Sequence, residues 1–382
     1  MSKGLIEALS VKEARERLAE EGILAEHISP AGGISRLSSD TRSVLYRELA
    51  SLLKAGLPIV KALDILLNSP EMLEVRPALA ALRDRITEGV SLASALGSTI
   101  PSVTFFECAI LDVGEKSAAL ESNLARLADY LDEQSKLQER IRSALTYPAF
   151  VVGLGVCSGA AMLGILVPMM QGMLLKGNIP LPALTRAMVA LGGALTSWPG
   201  LAGVVSLVAG VVWFRRTLND NAAFRKRMSQ MIFDLPWIGR GYSMLVSLRF
   251  SRTLSVLFRS GVSLVDGMAM AGRATGNLWI TEMAVIEADS VRHGDTLSRA
   301  VLRIPPLSRS LSGWIQTGEA TGELAAMLEN AANRYQEHWN RYINRSMGIL
   351  APVLILLVGG FVLLLALSVL LPVFSLSQTL GQ

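Results

Sequence analysis

Two Gly-Glu pairs, Gly114-Glu115 and Gly318-Glu319, are the polar elements of this sequence that most suggest chemistry. Each pair precedes a long segment with helical periodicity, where a carboxylate could bind a cation or a partner protein. The alternative role is structural: the glycine makes a turn and the glutamate complements the positive end of the following helix. One carboxylate per pair is too few for a good metal site, so we favour the structural role.

Patterns typical of catalysis and cofactor binding are missing from the sequence. It contains no GxxxxGK[ST] phosphate loop and no HExxH zinc motif, and its two cysteines show no CxxC spacing. The histidines lie outside the apolar segments, which leaves Ser158 without a neighbouring base for a protease mechanism. We therefore expect no catalytic residue, no cofactor and no metal, so that any nucleotide-driven work would fall to a partner.

The composition indicates a membrane protein that also has sizeable soluble domains. The 382 residues are 51% hydrophobic, with a mean hydropathy of +0.42, which is too apolar for an ordinary soluble protein. The charged fraction of 18% is too high for a bundle made only of membrane spans. The N-terminus lacks the apolar stretch of a cleavable signal peptide, so internal helices are expected to insert into the membrane.

An internal duplication contains the two Gly-Glu pairs and organises the whole chain. Equivalent residues are separated by 204 or 205 positions: Gly56 and Gly261, Gly89 and Gly294, Glu115 and Glu319, Pro148 and Pro352, Pro168 and Pro372. An apolar stripe at helical spacing is also repeated: Leu120, Leu124, Leu127 and Leu131, then Leu324, Leu328, Ala331 and Tyr335. Such an ordered series indicates duplication rather than chance. Ser117 and Thr321 are predicted N-caps of the long helices that carry the stripe.

The predicted fold is all-α, with two homologous cytoplasmic helical domains and three transmembrane helices. The predicted segments are a leader with a short amphipathic helix ending near Gly22 (1–41), helical domain 1 (42–147), transmembrane helix 1 (148–172), a periplasmic loop with an interfacial segment (173–197), transmembrane helix 2 (198–214), helical domain 2 (215–348), transmembrane helix 3 (349–374) and a periplasmic tail (375–382). Within domain 1, Gly56 marks a turn, Ser91 starts a short helix and Pro101 starts the next one.

The first predicted span has the length of a membrane helix. Residues 148–168 carry no charge, and a helix over this interval rises about 30 Å, the thickness of the hydrocarbon layer. Tyr147-Pro148 is expected to set the start of the span, with the tyrosine at the interface and the proline in the first turn. Gly155 and Gly159 have the GxxxG spacing that permits close helix contact.

The flanking charges predict the topology of the chain. Basic residues cluster before the first span, after the second and before the third, whereas only Lys176 and Arg186 lie between spans one and two. Both large domains and the N-terminus are therefore expected in the cytoplasm, and the C-terminus on the opposite side of the membrane. The net charge of +4 fits this role better than nucleic-acid binding. A membrane transporter or permease subunit is the alternative function, although ion-coupled transporters usually carry ionisable residues in their spans and spans one and three have none.

Motifs spread over nearly the whole chain carry a family resemblance. They are RELASLLKAGLPIVKAL at 47–63, EGVSLASAL at 88–96, ALTYP at 144–148, LPWIG at 235–239, RFSRTLSVLFRSGVSLVDGM at 249–268, HGDTLSRA at 293–300 and GEATGEL at 318–324. In these motifs the chain resembles the GspF/PilC family, the inner-membrane platform proteins of type II secretion and type IV pilus machines. The matching positions are Gly56, Gly114, Glu115, Leu120, Tyr147, Pro148, Gly261, Gly318, Glu319, Gly322 and Leu324. Ala118 departs from the pattern, since it stands where the second repeat has Gly322.

The resemblance implies a non-enzymatic platform in the bacterial inner membrane, with two cytoplasmic six-helix domains and three spans. Its implied partners are a cytoplasmic assembly ATPase, pilins or pseudopilins, other inner-membrane platform subunits and the lipid bilayer. Together with the GxxxG spacing, this duty favours a homo-oligomer. Motion of the ATPase would pass through helices that continue into the first and third spans. The sequence does not separate type II secretion from pilus assembly.

Overall fold

In the computed structural model of the chain, residues 37–161, 222–236, 238–307 and 309–379 are described, together with a few isolated positions. All regular secondary structure in these ranges is helical. Most of the predicted leader, the loop at 173–197 and the predicted second span at 198–214 lie outside the described residues. Gly22 is one of the isolated positions; its φ of 74° and the hydrogen bond from its N–H to the carbonyl of Ala19 are typical of a helix C-cap.

The first repeat consists of six α-helices and one 3₁₀-helix. They are α1 Ser39–Lys54, α2 Ile59–Leu67, the 3₁₀-helix Pro70–Val75, α3 Arg76–Thr87, α4 Leu92–Thr99, α5 Phe105–Lys116 and α6 Leu120–Ala161. The predicted turn at Gly56 is confirmed, with a φ of 84° between α1 and α2. Ser91 caps α4 as predicted, since its hydroxyl accepts from the N–H of Ser94.

The prediction that Pro101 starts the next helix is wrong. Helix α5 begins four residues later, at Phe105, because Thr104 and Glu107 form a capping box. The Thr104 hydroxyl accepts from the N–H of Glu107 at 3.3 Å, and the Glu107 carboxylate accepts from the N–H of Thr104 at 3.1 Å.

The second repeat follows the same order of helices. They are α7 Ala222–Asp234, α8 Ile238–Arg259, α9 Leu264–Ala274, α10 Leu278–Arg292, α11 Leu297–Leu302, α12 Arg309–Thr321 and α13 Leu324–Thr379. From α8 onward, each helix has its counterpart in α1 to α6. The turn glycines also correspond: Gly261 and Gly294 have φ values of 86° and 99°, against 84° and 88° for Gly56 and Gly89.

Helices α6 and α13 each continue without a break from a helical domain into an apolar segment. Pro148 lies inside α6, so the prediction that it occupies the first turn of a span helix is wrong. Within the described ranges, two helices are long and apolar enough to cross a membrane, over Leu120–Gly159 and Leu324–Ser368. Only 6% of the apolar window of either helix is buried inside the protein, which suits contact with lipid.

The chain divides into two compact units. One contains residues Met1–Gln138 and Tyr242–Gln336, and the other contains Glu139–Gly241 and Glu337–Gln382. The predicted apolar stripes lie in the core of the first unit. Their buried members are Leu124, Leu127, Leu131, Leu324, Leu328, Ala331 and Tyr335, whereas Leu120 is only half-buried.

Within the second unit, the GxxxG glycines of α6 contact α13. A Cβ added to Gly155 would lie 3.0 Å from Cγ1 of Val358, and one added to Gly159 would lie 2.7 Å from the ring of Phe361. The predicted close helix contact is therefore confirmed. Its partner is a helix of the same chain, so this spacing no longer argues for self-association.

Candidate functional site: the Gly-Glu pairs and the contact between repeats

Both Gly-Glu pairs lie near the ends of short helices, α5 and α12, and not in the turns that follow them. The left-handed residues of those turns are Ala118, with a φ of 54°, and Gly322, with a φ of 74°. The prediction that Gly114 and Gly318 make the turns is therefore wrong. The chain turns four residues later, at the position where the first repeat has alanine.

The glycines of the pairs allow the long helices to start in close contact with the short ones. A Cβ on Gly114 would lie 3.2 Å from the Cα of Leu120, the first residue of α6. A Cβ on Gly318 would lie 2.8 Å from the Cα of Leu324, the first residue of α13. These approaches leave little room for a larger residue, because the nearest atoms include the backbone of the long helix and the side chain of Asn123 or Met327. The glycines therefore serve packing rather than turning.

The glutamates complement helix N-termini, as predicted, but not those of the long helices. The carboxylate of Glu115 accepts from the N–H of Leu92 at 2.6 Å and from the N–H of Ala93 at 3.3 Å. Glu319 repeats this contact with Leu297, whose N–H lies 2.7 Å from its Oε1. Each glutamate thus binds the first turn of the preceding short helix, α4 or α11. Unpaired N–H groups and the helix dipole favour a carboxylate at such a position.

Each pair therefore joins three helices: the one that carries it, the short helix capped by the glutamate, and the long helix packed on the glycine. We call these two structures the Gly-Glu joints. The joint of the first repeat contains Gly114, Glu115 and Leu120; that of the second contains Gly318, Glu319, Gly322 and Leu324. A joint of this kind fixes the start of a long helix within its domain. Among the described residues, no three His, Cys, Asp or Glu side chains are grouped to hold a metal ion.

Other predicted residues lie away from the joints or have different roles. The N-cap predictions for Ser117 and Thr321 are wrong, since each hydroxyl instead donates to the preceding helix, to the carbonyls of Val113 and Thr317. These residues end α5 and α12. The Thr321 hydroxyl also accepts from the N–H of Glu323 at 3.4 Å, but Glu323 precedes α13 and is not in its first turn. Tyr147 is half-exposed beside Pro148, within α6.

The contact between the two repeats is a feature that the sequence did not predict. Helix α6 runs antiparallel to α8, so its residue numbers rise as those of α8 fall. The paired atoms are Asn123 Nδ2 and Ser260 O at 3.2 Å, Tyr130 Oη and Thr253 Oγ1 at 3.1 Å, and Glu133 Oε2 and Arg252 Nε at 2.8 Å. On the same side, Leu257 and Val262 complete the apolar core of the first repeat. We call this interface the inter-repeat contact.

Helix α8 binds both long helices. Arg252 reaches Glu133 of α6, and its Nη2 donates to Oδ1 of Asn333 in α13 at 2.8 Å. The main-chain carbonyl of Arg259 accepts a hydrogen bond from the guanidinium of Arg126. The guanidinium of Arg259 forms an ion pair with Glu329. Partial burial raises the pKa of Glu133, and the neighbouring Arg252 opposes that rise. The starts of the two long helices are thus connected through a single helix.

A family model, described as Type II secretion system (T2SS), protein F, matches the chain twice. The matches cover residues 45–168 and 250–372. They begin 205 positions apart and end 204 positions apart, which are the offsets of the internal repeat. The predicted duplication is therefore confirmed.

Curated relatives match the chain over nearly its full length. The Type II secretion system protein F of Pseudomonas aeruginosa is 30% identical, over 99% of this chain and 96% of its own. Its namesake in Vibrio cholerae is 28% identical, over 100% of this chain and 96% of its own. The Type IV pilus assembly protein PilC of Pseudomonas aeruginosa is 27% identical, over 93% of this chain and 94% of its own. With both repeats matched by the family model, this chain belongs to the Type II secretion system protein F family.

Proposed function

We propose that this chain is a non-enzymatic platform of a type II secretion or type IV pilus machine in the bacterial inner membrane. It would couple a cytoplasmic assembly ATPase to the extraction and polymerisation of pseudopilins or pilins. The names of its relatives support a role in one of these machines, and no observation favours a transporter. The proposal includes three spans, two cytoplasmic six-helix domains, a periplasmic C-terminus and a homo-oligomeric state.

The continuity of α6 and α13 is the observation that supports mechanical coupling between the helical domains and the membrane. Each helix starts in a Gly-Glu joint and runs unbroken into an apolar segment, over Leu120–Ala161 and Leu324–Thr379. A packed α-helix transmits displacement along its axis, because its main-chain hydrogen bonds run along the segment, and Pro148 in α6 and Pro352 in α13 each remove only one of them. A push on the helical domains would therefore reach the membrane through α6 and α13 without an intervening loop.

Insertions in the two helices test this mechanism. Four glycines inserted after Arg142 and after Arg345 should uncouple the domains from the apolar segments, because glycine destabilises a helix by about 1 kcal/mol per residue relative to alanine. Four alanines at the same places are the matched control, since they lengthen the helix equally but keep it stiff. Surface pili or secreted substrate should be lost with glycine and largely retained with alanine. If assembly continues with glycine inserted in both helices, rigid transmission is wrong.

The partner assignment is tested separately. The purified chain should copurify with the hexameric assembly ATPase and with small pilins that have apolar N-termini. Substitutions that break the joints should weaken retention of the ATPase without removing the chain from the membrane. Stabilisation of the purified chain alone by a small solute, with no retention of ATPase or pilin, would instead support the transporter alternative.

A further inference from the structure

The inter-repeat contact is asymmetric, because each repeat contributes a different face to it. The second repeat contributes a turn face, made of α8 and the Gly261 turn, whose contacting residues are Arg252, Thr253, Arg259, Ser260 and Gly261. The first repeat contributes a long-helix face, made of α5 and α6, whose contacting residues are Val113, Asn123, Arg126, Tyr130 and Glu133. By duplication, the first repeat also has a turn face and the second repeat also has a long-helix face.

The second set of faces is exposed in the described part of the chain. A Cβ on Gly261 would lie 3.1 Å from Val113, whereas one on Gly56 would have no atom within 4 Å. Met270 packs against the core of the first repeat, while its counterpart Ile65 is 48% exposed. On the long-helix face of the second repeat, the exposed residues at the contact positions are Thr317, Asn330, Arg334 and Glu337.

These two exposed faces are complementary in charge when they are aligned in the register of the inter-repeat contact. The pair Thr253 and Tyr130 corresponds to Glu48 on the turn face and Arg334 on the long-helix face. A neutral hydrogen-bonded pair in the existing contact is thus replaced by an exposed pair of opposite charges.

Two further positions are compatible with the same register. The ion pair of Arg252 and Glu133 corresponds to Arg47 and Glu337, again of opposite charge. Arg47 already binds carboxylates of its own repeat, but its side chain is still 50% exposed.

The third position places no like charges together. The pair Arg259 and Arg126 meets through a main-chain carbonyl, and it corresponds to Lys54 and Asn330. The neutral amide of Asn330 opposes Lys54 without repulsion and can also donate to a carbonyl. Within one chain all four of these residues are exposed: Glu48, Lys54, Asn330 and Arg334.

We propose that the turn face of the first repeat in one copy binds the long-helix face of the second repeat in the next copy. Glu48 would then meet Arg334, and Lys54 would lie beside Asn330. Exposed ion pairs contribute more to register and specificity than to affinity, and the partly exposed Leu57 and Ile65 would supply apolar area.

The proposed interface is head-to-tail, since it joins two different faces. Such an interface forms a ring if the rotation between successive copies closes, and otherwise an open row of copies in the membrane. The inference rests on the proposed homo-oligomer and specifies its interface.

Cysteine cross-linking between differently labelled copies tests the proposal. In full-length chains with Cys108 and Cys157 replaced by serine, one copy carries Lys54→Cys and the other carries Asn330→Cys. In the inter-repeat contact, the side chain of Arg126 spans the distance to the main chain of Arg259. The equivalent thiols should therefore lie within reach of a short bismaleimide, which should give a mixed dimer of copies coexpressed in membranes.

The control variants use the same cysteine cross-linking, with one cysteine absent or moved to another position. Neither cysteine variant expressed alone should give a dimer, because each copy then lacks the facing thiol. Glu88→Cys, at an exposed position outside the turn face, replaces Lys54→Cys in the matched control and should give no mixed dimer with Asn330→Cys.

Charge reversal provides the second measurement. Glu48→Arg in the copy with Lys54→Cys should lower the yield of mixed dimer several-fold, and Arg334→Glu in the other copy should restore it. Restoration also shows that each variant is folded. The proposal is overturned if single variants dimerise alone, if no mixed dimer forms, or if reversal of both charges fails to rescue it. An oligomer that survives these failures leaves the proposed function intact, whereas a chain that is monomeric in membranes contradicts its homo-oligomeric part as well.

Discussion

Ala118 and Gly322 hold the same left-handed backbone at the two turns before the long helices. Glycine adopts this conformation without steric cost, whereas for other L-residues it costs about 1–2 kcal/mol. The first repeat therefore stores strain that the second repeat avoids. This difference gives a pair of opposite predictions at equivalent positions.

Ala118→Gly should stabilise the first repeat, by about 1 kcal/mol, and Gly322→Ala should destabilise the second by a similar amount. Thermal unfolding of the full chain in detergent would measure both, with Gly313→Ala as a control because Gly313 lies in helix α12 and a Cβ there meets no atom within 4 Å. A lower melting temperature for Ala118→Gly would show that the alanine is not strained.

Glu115 and Glu319 should be needed for the folded joints. Replacement by glutamine places an N–H₂ group or a single neutral oxygen against main-chain N–H groups, and each lost hydrogen bond to a charged acceptor costs about 1.5–3 kcal/mol. We therefore expect either substitution to lower the melting temperature and to speed hydrogen exchange at the start of α4 or α11. Glu121→Gln, at an exposed position in the first turn of α6, is the control. Equal exchange in the Glu115 variant and the control would contradict the capping role.

The sequence could locate the Gly-Glu pairs but could not show their contacts. The offset between the repeats identifies Glu115 and Glu319 as equivalent, and local capping rules favour a helix N-terminus for each. The helix they actually cap starts more than twenty residues upstream in the chain, at Leu92 or Leu297. Tertiary packing brings that N-terminus to the carboxylate, and no local pattern encodes this approach.

At the scale of the helices, periodicity predicts most elements and several of their ends. The turn at Gly56, the cap at Ser91 and the two long amphipathic stripes follow from turn chemistry and from apolar spacing. The start of α5 does not follow from the proline signal at Pro101, because the capping box of Thr104 outweighs it. The position of Pro148 inside α6 is also unexpected, since proline usually begins a helix rather than lying within one.

Helices α1 and α8 carry an arginine at equivalent positions, Arg47 and Arg252, but the two arginines bind different side chains. Arg47 of α1 binds both Asp129 and Asp132 of its own repeat. At the equivalent of Asp129, the second repeat has the neutral amide of Asn333, which accepts from Nη2 of Arg252. The Nε of Arg252 instead binds Glu133 of the other repeat. A change from carboxylate to amide thus accompanies a contact between repeats.

A double-mutant cycle on Arg252 and Glu133 should detect this contact. Arg252→Met and Glu133→Gln, alone and together, should give a coupling free energy of about 1 kcal/mol in unfolding, because the glutamate is partly exposed and solvent screens the pair. Arg47→Met combined with Glu133→Gln provides the matched control and should show no coupling. Additive effects in both cycles would mean that the pair does not link the repeats.

At the scale of the whole molecule, the GxxxG spacing serves helix packing within one chain, whereas the exposed charged faces would serve contacts between copies. The small residues of α6 allow α13 of the same chain to approach closely, through Gly155 and Gly159. In the proposed homo-oligomer, self-association would be left to the faces of the helical domains, where charge complementarity can specify one register. A sequence pattern often taken for an oligomerisation motif would here be internal packing.

Gly159→Leu tests whether helix packing within the chain and association between copies are independent. The added side chain must displace the ring of Phe361, since even a Cβ would lie 2.7 Å from it. We expect the thermal stability of the full chain to fall, because overpacking typically costs about 1–3 kcal/mol, and Phe361→Ala to restore part of the loss by making room. The yield of cross-linked dimer between Lys54→Cys and Asn330→Cys copies should stay unchanged. Were Gly159→Leu to abolish that dimer while the chain remained folded, the spans and not the charged faces would hold the copies together.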